Sequence, residues 1–98
     1  MNKDYFQLIR QWAQQRGLYE QGDPKTQCLK LVEEVGELAE AILKNQPKEI
    51  IDAVGDIIVV LTNLSELSGF QVEQAIEHAY NEIKDRKGQM KNGTFIKE

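Results

Sequence analysis

The chain has 98 residues, with 12 Lys and Arg against 16 Asp and Glu, and a formal net charge of -4. A chain of this length holds one domain at most, and its acidic balance disfavours binding to long nucleic acid. The single Cys28 and the single His78 exclude an internal disulfide and disfavour a zinc site of the Cys/His kind. The chain start lacks an apolar signal segment, and the longest apolar-rich uncharged run, residues 57–65, is shorter than the roughly 20 residues of a membrane span. A cytoplasmic protein without a membrane partner is expected.

The first half of the chain is predicted to contain two helices. Helix one spans residues 2–16, because apolar side chains recur there at helical spacing. Residues 17–22 are predicted as a loop. Helix two opens with the capping residue Asp23 and with Pro24 at its first helical position, and it runs to about Lys44. Its apolar stripe consists of Leu31, Val35, Leu38 and Ile42.

The second half contains two further predicted helices and a tail. Helix three spans residues 47–68, with Gly69 suited to its C-terminal end, and helix four spans residues 71–87. The dipeptide Asn92-Gly93 is a turn signal, but no strand pairing is predicted. The sequence therefore predicts an all-α bundle. Residues 1–98 form a single domain in this prediction, with residues 89–98 as a short C-terminal tail.

Helix three combines an apolar surface with two carboxylates. It is apolar around nearly its whole circumference, which is typical of a buried central helix. Asp52 and Asp56 nevertheless lie one turn apart and ~40° apart around the axis, and Asn63 projects in nearly the same direction. A buried carboxylate is costly unless it is paired or binds a metal, so both aspartates are candidate functional residues. The alternative is a narrow exposed strip near the helix start, where they would favour the helix dipole.

Helix two carries a matching acidic set. Glu34 and Glu37 project ~60° apart, whereas Glu33 and Glu40 are assigned to a solvated face. If the two helices pack as antiparallel neighbours, two carboxylates from each converge. Two like charges about 4 Å apart repel by about 4 kcal/mol at an effective dielectric of about 20, so such a cluster favours a cation. Oxygen ligands without His or Cys indicate Mg²⁺ or Mn²⁺, and Mg²⁺ sites commonly accept substrate phosphates.

Three other residues are interpreted from their positions. Gly36 and Gly55 each directly precede an acidic residue inside a helix, where glycine is destabilising, which predicts close helix approach beside both acidic clusters. Trp12 is expected in the core rather than stacked on a nucleobase, because an aromatic side chain at helical spacing more often belongs to a core.

Two segments resemble the acidic helices of the MazG nucleotide pyrophosphohydrolases. Residues 30–40, KLVEEVGELAE, match the EExxE helix of that family, and residues 52–61, DAVGDIIVVL, match its second acidic helix. The resemblance implies an all-α, four-helix subunit that forms a helical-bundle dimer or dimer of dimers. It also implies Mg²⁺-dependent hydrolysis of a nucleoside or deoxynucleoside triphosphate to the monophosphate and pyrophosphate, as in nucleotide-pool housekeeping, with Mn²⁺ as a substitute metal.

Carried over by motif position, the resemblance assigns roles to the acidic residues. Glu34, Glu37 and Asp56 become metal ligands, and Glu33 becomes the catalytic base or positions the attacking water. The family's remaining glutamate falls on Ala53, so Asp52, one position earlier, is the expected fourth ligand. A literal ExxD also runs from Glu49 to Asp52.

The resemblance also implies substrate contacts from basic and polar residues. Lys30 is a candidate phosphate contact, with an ion pair to Glu34 as the alternative. Lys84, Arg86 and Lys87 lie near the end of helix four, where they either contact phosphate or complement the helix dipole. Asn81 is a further candidate substrate contact.

Two other functions are compatible with the same sequence. Alanine at position 53, where the family has a glutamate, is compatible with a catalytically silent module that binds nucleotide or protein. A purely structural helical dimer without a ligand is the third hypothesis.

Overall fold

A computed structural model of the chain describes residues 3–98. It contains five helices and two strands: α1 (Tyr5–Gln15), α2 (Leu18–Gln21), α3 (Pro24–Leu43), α4 (Pro47–Leu67), α5 (Val72–Ile83), β1 (Gly88–Lys91) and β2 (Thr94–Lys97). The all-α prediction is confirmed, since helices form most of the chain and the strands form only one hairpin. None of the helices in the described part combines the length and apolar character needed to cross a membrane.

The predicted helix limits are correct at some ends and wrong at others. The predicted start of the first helix at residue 2 lies outside the described residues, and α1 begins after the cap Asp4, whose carboxylate accepts a hydrogen bond from the Gln7 amide. Residues 18–21, predicted as loop, form the short helix α2. The last helix ends at Ile83 rather than at Lys87.

Local chemistry at the ends of α3 fixes its limits as predicted. The Asp23 carboxylate caps the helix by accepting hydrogen bonds from the Thr26 amide at 2.8 Å and from the Thr26 hydroxyl at 2.9 Å. At the other end, Asn45 adopts a left-handed conformation with φ 53°, and the Gln46 amide donates to the Ala41 carbonyl. This is a Schellman ending, which reverses the chain within three residues and starts α4 at Pro47. The helices α3 and α4 are therefore antiparallel neighbours.

The central position of α4 is confirmed, but its burial is incomplete. It contacts each of the other four helices. The buried apolar residues of the described chain are nevertheless small: Ala13, Ala41, Ala53, Val60 and Val72. One apolar stripe of α4 stays open, and Ile51 in this stripe is 73% exposed. The prediction of a helix buried on all sides is wrong for a single copy of the chain.

The apolar stripe predicted for α3 is also only partly buried. Leu31 and Leu38 are half-buried, whereas Val35 and Ile42 are exposed. The buried positions of this helix are Glu34 and Ala41. The inward face is therefore rotated relative to the predicted one.

A bidentate ion pair anchors the start of α5 to α1. The buried Arg10 guanidinium donates to both carboxylate oxygens of Glu73, at 2.8 and 2.7 Å. Val72 next to it is buried. Beyond this anchor, every residue from 74 to 98 is exposed. The radius of gyration is 15.9 Å, larger than the roughly 13 Å of a compact domain of about 100 residues.

The C-terminal tail is a β-hairpin, so the prediction of a tail without strand pairing is wrong. Lys91 pairs with Thr94 across a two-residue turn in which Asn92 and Gly93 have φ of 51° and 83°. Positive φ at both positions is the geometry for which Asn-Gly is favoured in hairpins. The turn signal was present in the sequence, but the flanking strands carry no alternating apolar pattern.

The anchor predicts a stability loss in Glu73→Gln, because the change leaves the buried Arg10 charge without its counterion. We expect the free energy of unfolding to fall by about 1–2 kcal/mol at pH 7. Arg10 lowers the pKa of Glu73, chiefly through their hydrogen bond. The contribution is therefore present above the ordinary glutamate pKa and lost as pH falls through the lowered pKa. Urea unfolding at pH 7 and at a series of pH values below the ordinary glutamate pKa tests this.

Glu77→Gln is the matched control, since Glu77 lies one turn later on the same helix and is exposed. An equal loss in both variants, or a loss that persists unchanged in acid, would contradict the role of the ion pair.

Candidate functional site

An acidic cleft of about 250 Å³ opens between α3 and α4, close to the turn that joins them. Carboxylates from both helices line it: Glu37 and Glu40 from α3, and Glu49, Asp52 and Asp56 from α4. The remaining lining residues are Ala41, Gln46 and Ala53, so no Lys or Arg faces the cleft from within the described chain. The antiparallel pair thus brings three of the four predicted metal ligands, Glu37, Asp52 and Asp56, to one opening.

Glu34, the fourth predicted ligand, is buried beside this cleft. The residue is 5% exposed, and its Oε1 lies 3.4 Å from the Lys30 ammonium. Its Oε2 is buried and has no hydrogen-bond partner. A buried carboxylate oxygen without a partner is costly, so this position favours a proton or a cation.

The neighbouring acids shift the pKa of Glu37. Hydrogen bonding to Glu34 raises the pKa of Glu37, repulsion from Glu34 adds to the effect, and Asp56 contributes a smaller repulsion. The crowded negative charges therefore destabilise the cleft, and a bound proton or metal ion would offset this repulsion.

The carboxylates line one opening, but their oxygens do not converge on one point. Among residues 3–98, no group of three or more Asp, Glu, His or Cys side chains is positioned to hold one metal ion. The available donors are carboxylate oxygens, which are the ligands that Mg²⁺ prefers. The donor chemistry and the partnerless Glu34 oxygen fit a divalent cation, and binding would require the carboxylates to move towards it.

Other predicted site residues lie outside the cleft lining. Lys30 forms the ion pair with Glu34 that was the alternative to a phosphate contact. Glu33 is exposed on α3 and does not line the cleft. The candidate substrate contacts Asn81, Lys84 and Arg86 are exposed and likewise absent from its walls.

Asn63 and the two helix glycines do not have the predicted surroundings. Asn63 is 1% exposed and accepts a hydrogen bond from the Tyr19 hydroxyl at 2.6 Å, away from the cleft lining. A Cβ built on Gly36 or Gly55 meets nothing within 4 Å. The prediction of close helix approach at these glycines is therefore wrong within one copy.

Sequence reasoning did not assign Glu40 or Glu49 to the metal site, although it named Glu49 as the start of a literal ExxD. Glu40 was placed on a solvated face, but it lies three residues after Glu37 and shares its side of the helix. Glu49 lies seven residues before Asp56, again on the same face. Helical spacing alone was enough to place Glu40 and Glu49 on the same helix faces as the predicted ligands. Glu40 also forms an ion pair with Lys44, at 2.6 Å.

An apolar pocket adjoins the acidic cleft. It measures about 440 Å³, and its lining consists of Tyr5, Leu8, Ile9, Trp12, Val59 and Asp56. Trp12 is 46% exposed, so the prediction that it belongs to the core is wrong. The Arg16 guanidinium lies over its ring, 4.6 Å from the centroid. Asp56 lines both openings, which places a flat apolar surface next to the carboxylates.

Comparison with known protein families matches the same two acidic helices. Residues 23–90 match the MazG nucleotide pyrophosphohydrolase domain. The chain belongs to this family. The MazG match covers all of α3, α4 and α5 and therefore every wall of the acidic cleft.

Two relatives of this MazG chain come from viruses, and neither has a characterised function. One is an uncharacterised 18.2 kDa protein from the rep-hol intergenic region of Haemophilus phage HP1, 45% identical over 58 residues, or 59% of this chain and 36% of the relative. The other is an uncharacterised protein of Acanthamoeba polyphaga mimivirus, 41% identical over 54 residues, or 52% of this chain and 22% of the relative. The matched region thus spans 36% of the first relative and 22% of the second. No solved structure matches the chain.

Charge crowding in the cleft predicts that Glu37→Gln stabilises the metal-free protein. Removing one charge relieves the repulsion from Glu34 and Asp56, so we expect the melting temperature in EDTA to rise by about 2–5 °C. Differential scanning fluorimetry at low ionic strength measures it.

Glu33→Gln is the matched control, because it removes the same charge from the same helix outside the cleft. Equal melting temperatures for the two variants would show that the cleft charges are not crowded.

Proposed function

We propose that the protein is a Mg²⁺-dependent nucleotide pyrophosphohydrolase that converts a nucleoside or deoxynucleoside triphosphate and water to the monophosphate and pyrophosphate. The supporting observation is that Asp56 lines both the acidic cleft and the apolar pocket. A nucleotide has the same two parts, a polyphosphate that needs a cation to approach carboxylates and a flat base that packs on aromatic surfaces. Membership of the MazG family supports this reaction class.

In this proposal the acidic residues hold the metal and the phosphates. Glu34, Glu37, Asp52 and Asp56 are the ligands, and Glu49, which also lines the cleft, is available where the family glutamate is replaced by Ala53. A bound Mg²⁺ would offset the phosphate charge and make water a stronger nucleophile at neutral pH. The family resemblance assigns Glu33 to accept the proton of the attacking water or to orient it, although Glu33 lies outside the cleft lining of a single copy. The bond that breaks is the anhydride between the α- and β-phosphates, and pyrophosphate leaves.

Trp12 and its neighbours supply the base subsite in this proposal. Trp12 is half-exposed and lines the pocket that contains Asp56, while the Arg16 guanidinium covers one face of its ring. Stacking on an aromatic ring tolerates any base, so this subsite sets the distance between base and phosphates more than the identity of the base. Lys30, paired with Glu34, is the candidate cation for the phosphates in this proposal.

Self-association is part of the proposal, because a single copy buries too little apolar surface. Its buried apolar residues are alanines and valines, while large side chains such as Leu29, Val32, Leu43 and Ile51 are exposed. Chains of this size gain little stability from a small core alone. A second copy on the open face of α3 and α4 would cover these side chains and the two glycines.

The direct test of the activity is pyrophosphate release from a panel of ribo- and deoxyribonucleoside triphosphates with Mg²⁺, Mn²⁺ or EDTA. We expect release from at least one triphosphate with metal and none with EDTA. Asp56→Asn should lower the rate by about 100-fold or more. Glu20→Gln, on an exposed position of α2, should leave it unchanged. Complete inactivity of the unchanged protein across the panel would refute the proposal.

A silent nucleotide-binding module is the second candidate function. It is favoured by Ala53 at the family's glutamate position and by the absence, in residues 3–98, of three converging ligands. Calorimetry separates the two: tight triphosphate binding with Mg²⁺ but without pyrophosphate release would support the silent module. Absence of any thermal shift with Mg²⁺ and nucleotide would leave only a structural role.

The self-association proposal predicts an unusual effect of Ile51→Glu. A charge at a position 73% exposed in one copy ordinarily changes stability by less than about 0.5 kcal/mol. If a second copy covers this position, the variant should dissociate and melt at a lower temperature. Light scattering with size-exclusion chromatography measures the mass, with Gln11→Glu on exposed α1 as the control. A monomeric unchanged protein would contradict the proposal.

A further inference from the structure

A polar cavity of about 450 Å³ opens between α1, α2 and the end of α4. Its buried and half-buried lining residues are Arg10, Tyr19, Glu66 and Leu67. The exposed part of its lining consists of three glutamines, Gln7, Gln14 and Gln71. The cavity shares no lining residue with the acidic cleft or with the apolar pocket, so the proposed activity leaves it without a role.

The polar cavity lies on the opposite side of α1 from Trp12. At ~100° per residue, the α1 residues that line the apolar pocket and those that line the polar cavity project about 180° apart around the helix axis. On α4, Glu66 follows Asp56 by ten residues, which corresponds to about 15 Å along the axis. A ligand held at Glu66 would therefore be separate from both parts of the proposed active site.

Glu66 lacks the partner that its burial requires. Its Oε1 is buried and has no hydrogen-bond partner in the described part of the chain. The Arg10 guanidinium, which lines the same cavity, pairs with Glu73 instead. A buried carboxylate oxygen without a partner is costly. Because the last torsion of a glutamate side chain is soft, this oxygen can turn towards a hydrogen-bond donor placed in the cavity.

Arg10 supplies donors to the same cavity. A guanidinium has five N–H groups, and the hydrogen bonds to Gln7 and Glu73 use three of those of Arg10. The hydrogen bond with Glu73 is the main cause that raises the pKa of Arg10, and attraction from Glu66 adds to it. The guanidinium therefore stays charged, close to Glu66, with N–H groups left for an acceptor.

Together the carboxylate and the guanidinium favour a neutral group that has a donor beside an acceptor. A cation at Glu66 would leave the free N–H groups of Arg10 without an acceptor, and an anion at Arg10 would be repelled by Glu66. A lactam, in which a ring N–H adjoins a carbonyl oxygen, satisfies both side chains. Nucleosides of hypoxanthine, guanine, uracil and thymine have such an edge, whereas adenosine and cytidine do not.

The other walls of the polar cavity suit a nucleoside. Tyr19 and Leu67 offer an aromatic ring and an apolar side chain on which a flat base can pack. The Tyr19 hydroxyl donates to Asn63 at 2.6 Å, which fixes the ring. Burial chiefly raises the pKa of Tyr19, and repulsion from Glu66 adds to it, so the hydroxyl stays protonated. The glutamine amides at the opening each donate and accept hydrogen bonds, as ribose hydroxyls require.

We propose that the polar cavity binds a nucleoside whose base has a lactam edge, with Glu66 accepting the ring N–H and Arg10 donating to the carbonyl oxygen. This is a second site, distinct from the one proposed for the triphosphate. It needs neither a metal ion nor a phosphate group, so the inference does not rest on the proposed function.

Matched nucleosides test the proposal by calorimetry in EDTA. Inosine and adenosine have the same ribose and the same ring skeleton, but only inosine has the ring N–H beside a carbonyl; uridine and cytidine are a second such pair. We expect inosine to bind about 10-fold or more tightly than adenosine, since adenosine leaves both polar partners unsatisfied. Uridine should likewise bind more tightly than cytidine.

Glu66→Gln should weaken inosine binding by about 10-fold and remove the preference over adenosine, because the charged acceptor is lost. Glu20→Gln is the matched control, since Glu20 is exposed on α2 beside Tyr19 and does not line the cavity. Equal affinities within each pair, no binding of inosine, or a preference that survives Glu66→Gln would each overturn the proposal. If Glu66→Gln does not fold, the comparison of inosine with adenosine on the unchanged protein still decides.

Nuclear magnetic resonance locates the bound inosine. The chain has one tryptophan, so the Trp12 indole N–H gives a single signal that reports on the apolar pocket. We expect inosine to shift the Arg10 Nε–H signal and to leave the Trp12 signal in place. The opposite result would assign inosine to the base subsite and overturn the proposal. Asp56→Asn should stop pyrophosphate release without changing inosine binding, so failure of the proposed function and failure of this inference are distinguishable.

Discussion

The rest of the structure depends on one constraint: carboxylates from α3 and from α4 line the same cleft. The Schellman ending at Asn45 and the proline at the start of α4 reverse the chain within three residues, so acids from both helices face one opening. Hydrogen bonding to Glu34, with added repulsion from it, raises the pKa of Glu37, and one oxygen of Glu34 is buried without a partner. A fold that only needed stability would not retain such a cluster, because crowded like charges are destabilising.

The helices and part of the site could be predicted because their signals are local. Asp23-Pro24 and Pro47 start helices by rules of capping, and the three- and four-residue spacing of acids assigns a face to each carboxylate. The tertiary environment could not be predicted in the same way. Trp12 has ordinary core spacing, yet it lies at a pocket because the small residues Ala13 and Ala53 occupy the packed positions. Asn63 shares a helix face with Asp56 but lies where Tyr19 reaches it.

The exposed apolar surface of α3 and α4 and the exposed residues 74–98 both indicate a chain that is incompletely packed as a single copy. A single copy buries mainly alanines and valines, leaves the faces of α3 and α4 open, and extends an exposed, amphipathic segment beyond its anchor at Arg10. These features are costly for an isolated subunit and useful for an assembly, because each open surface can be covered by its equivalent on another copy.

The central claim is that acids from α3 and α4 hold one divalent ion, and the most direct measurement is crystallographic. Crystals grown with Mn²⁺ and examined by anomalous scattering locate the ion independently of any activity. The account predicts an anomalous peak in the acidic cleft, within coordination distance of carboxylates from both helices and including Asp56. A map without a peak there, with the side chains of Glu37 and Asp56 turned apart into solvent, would contradict it.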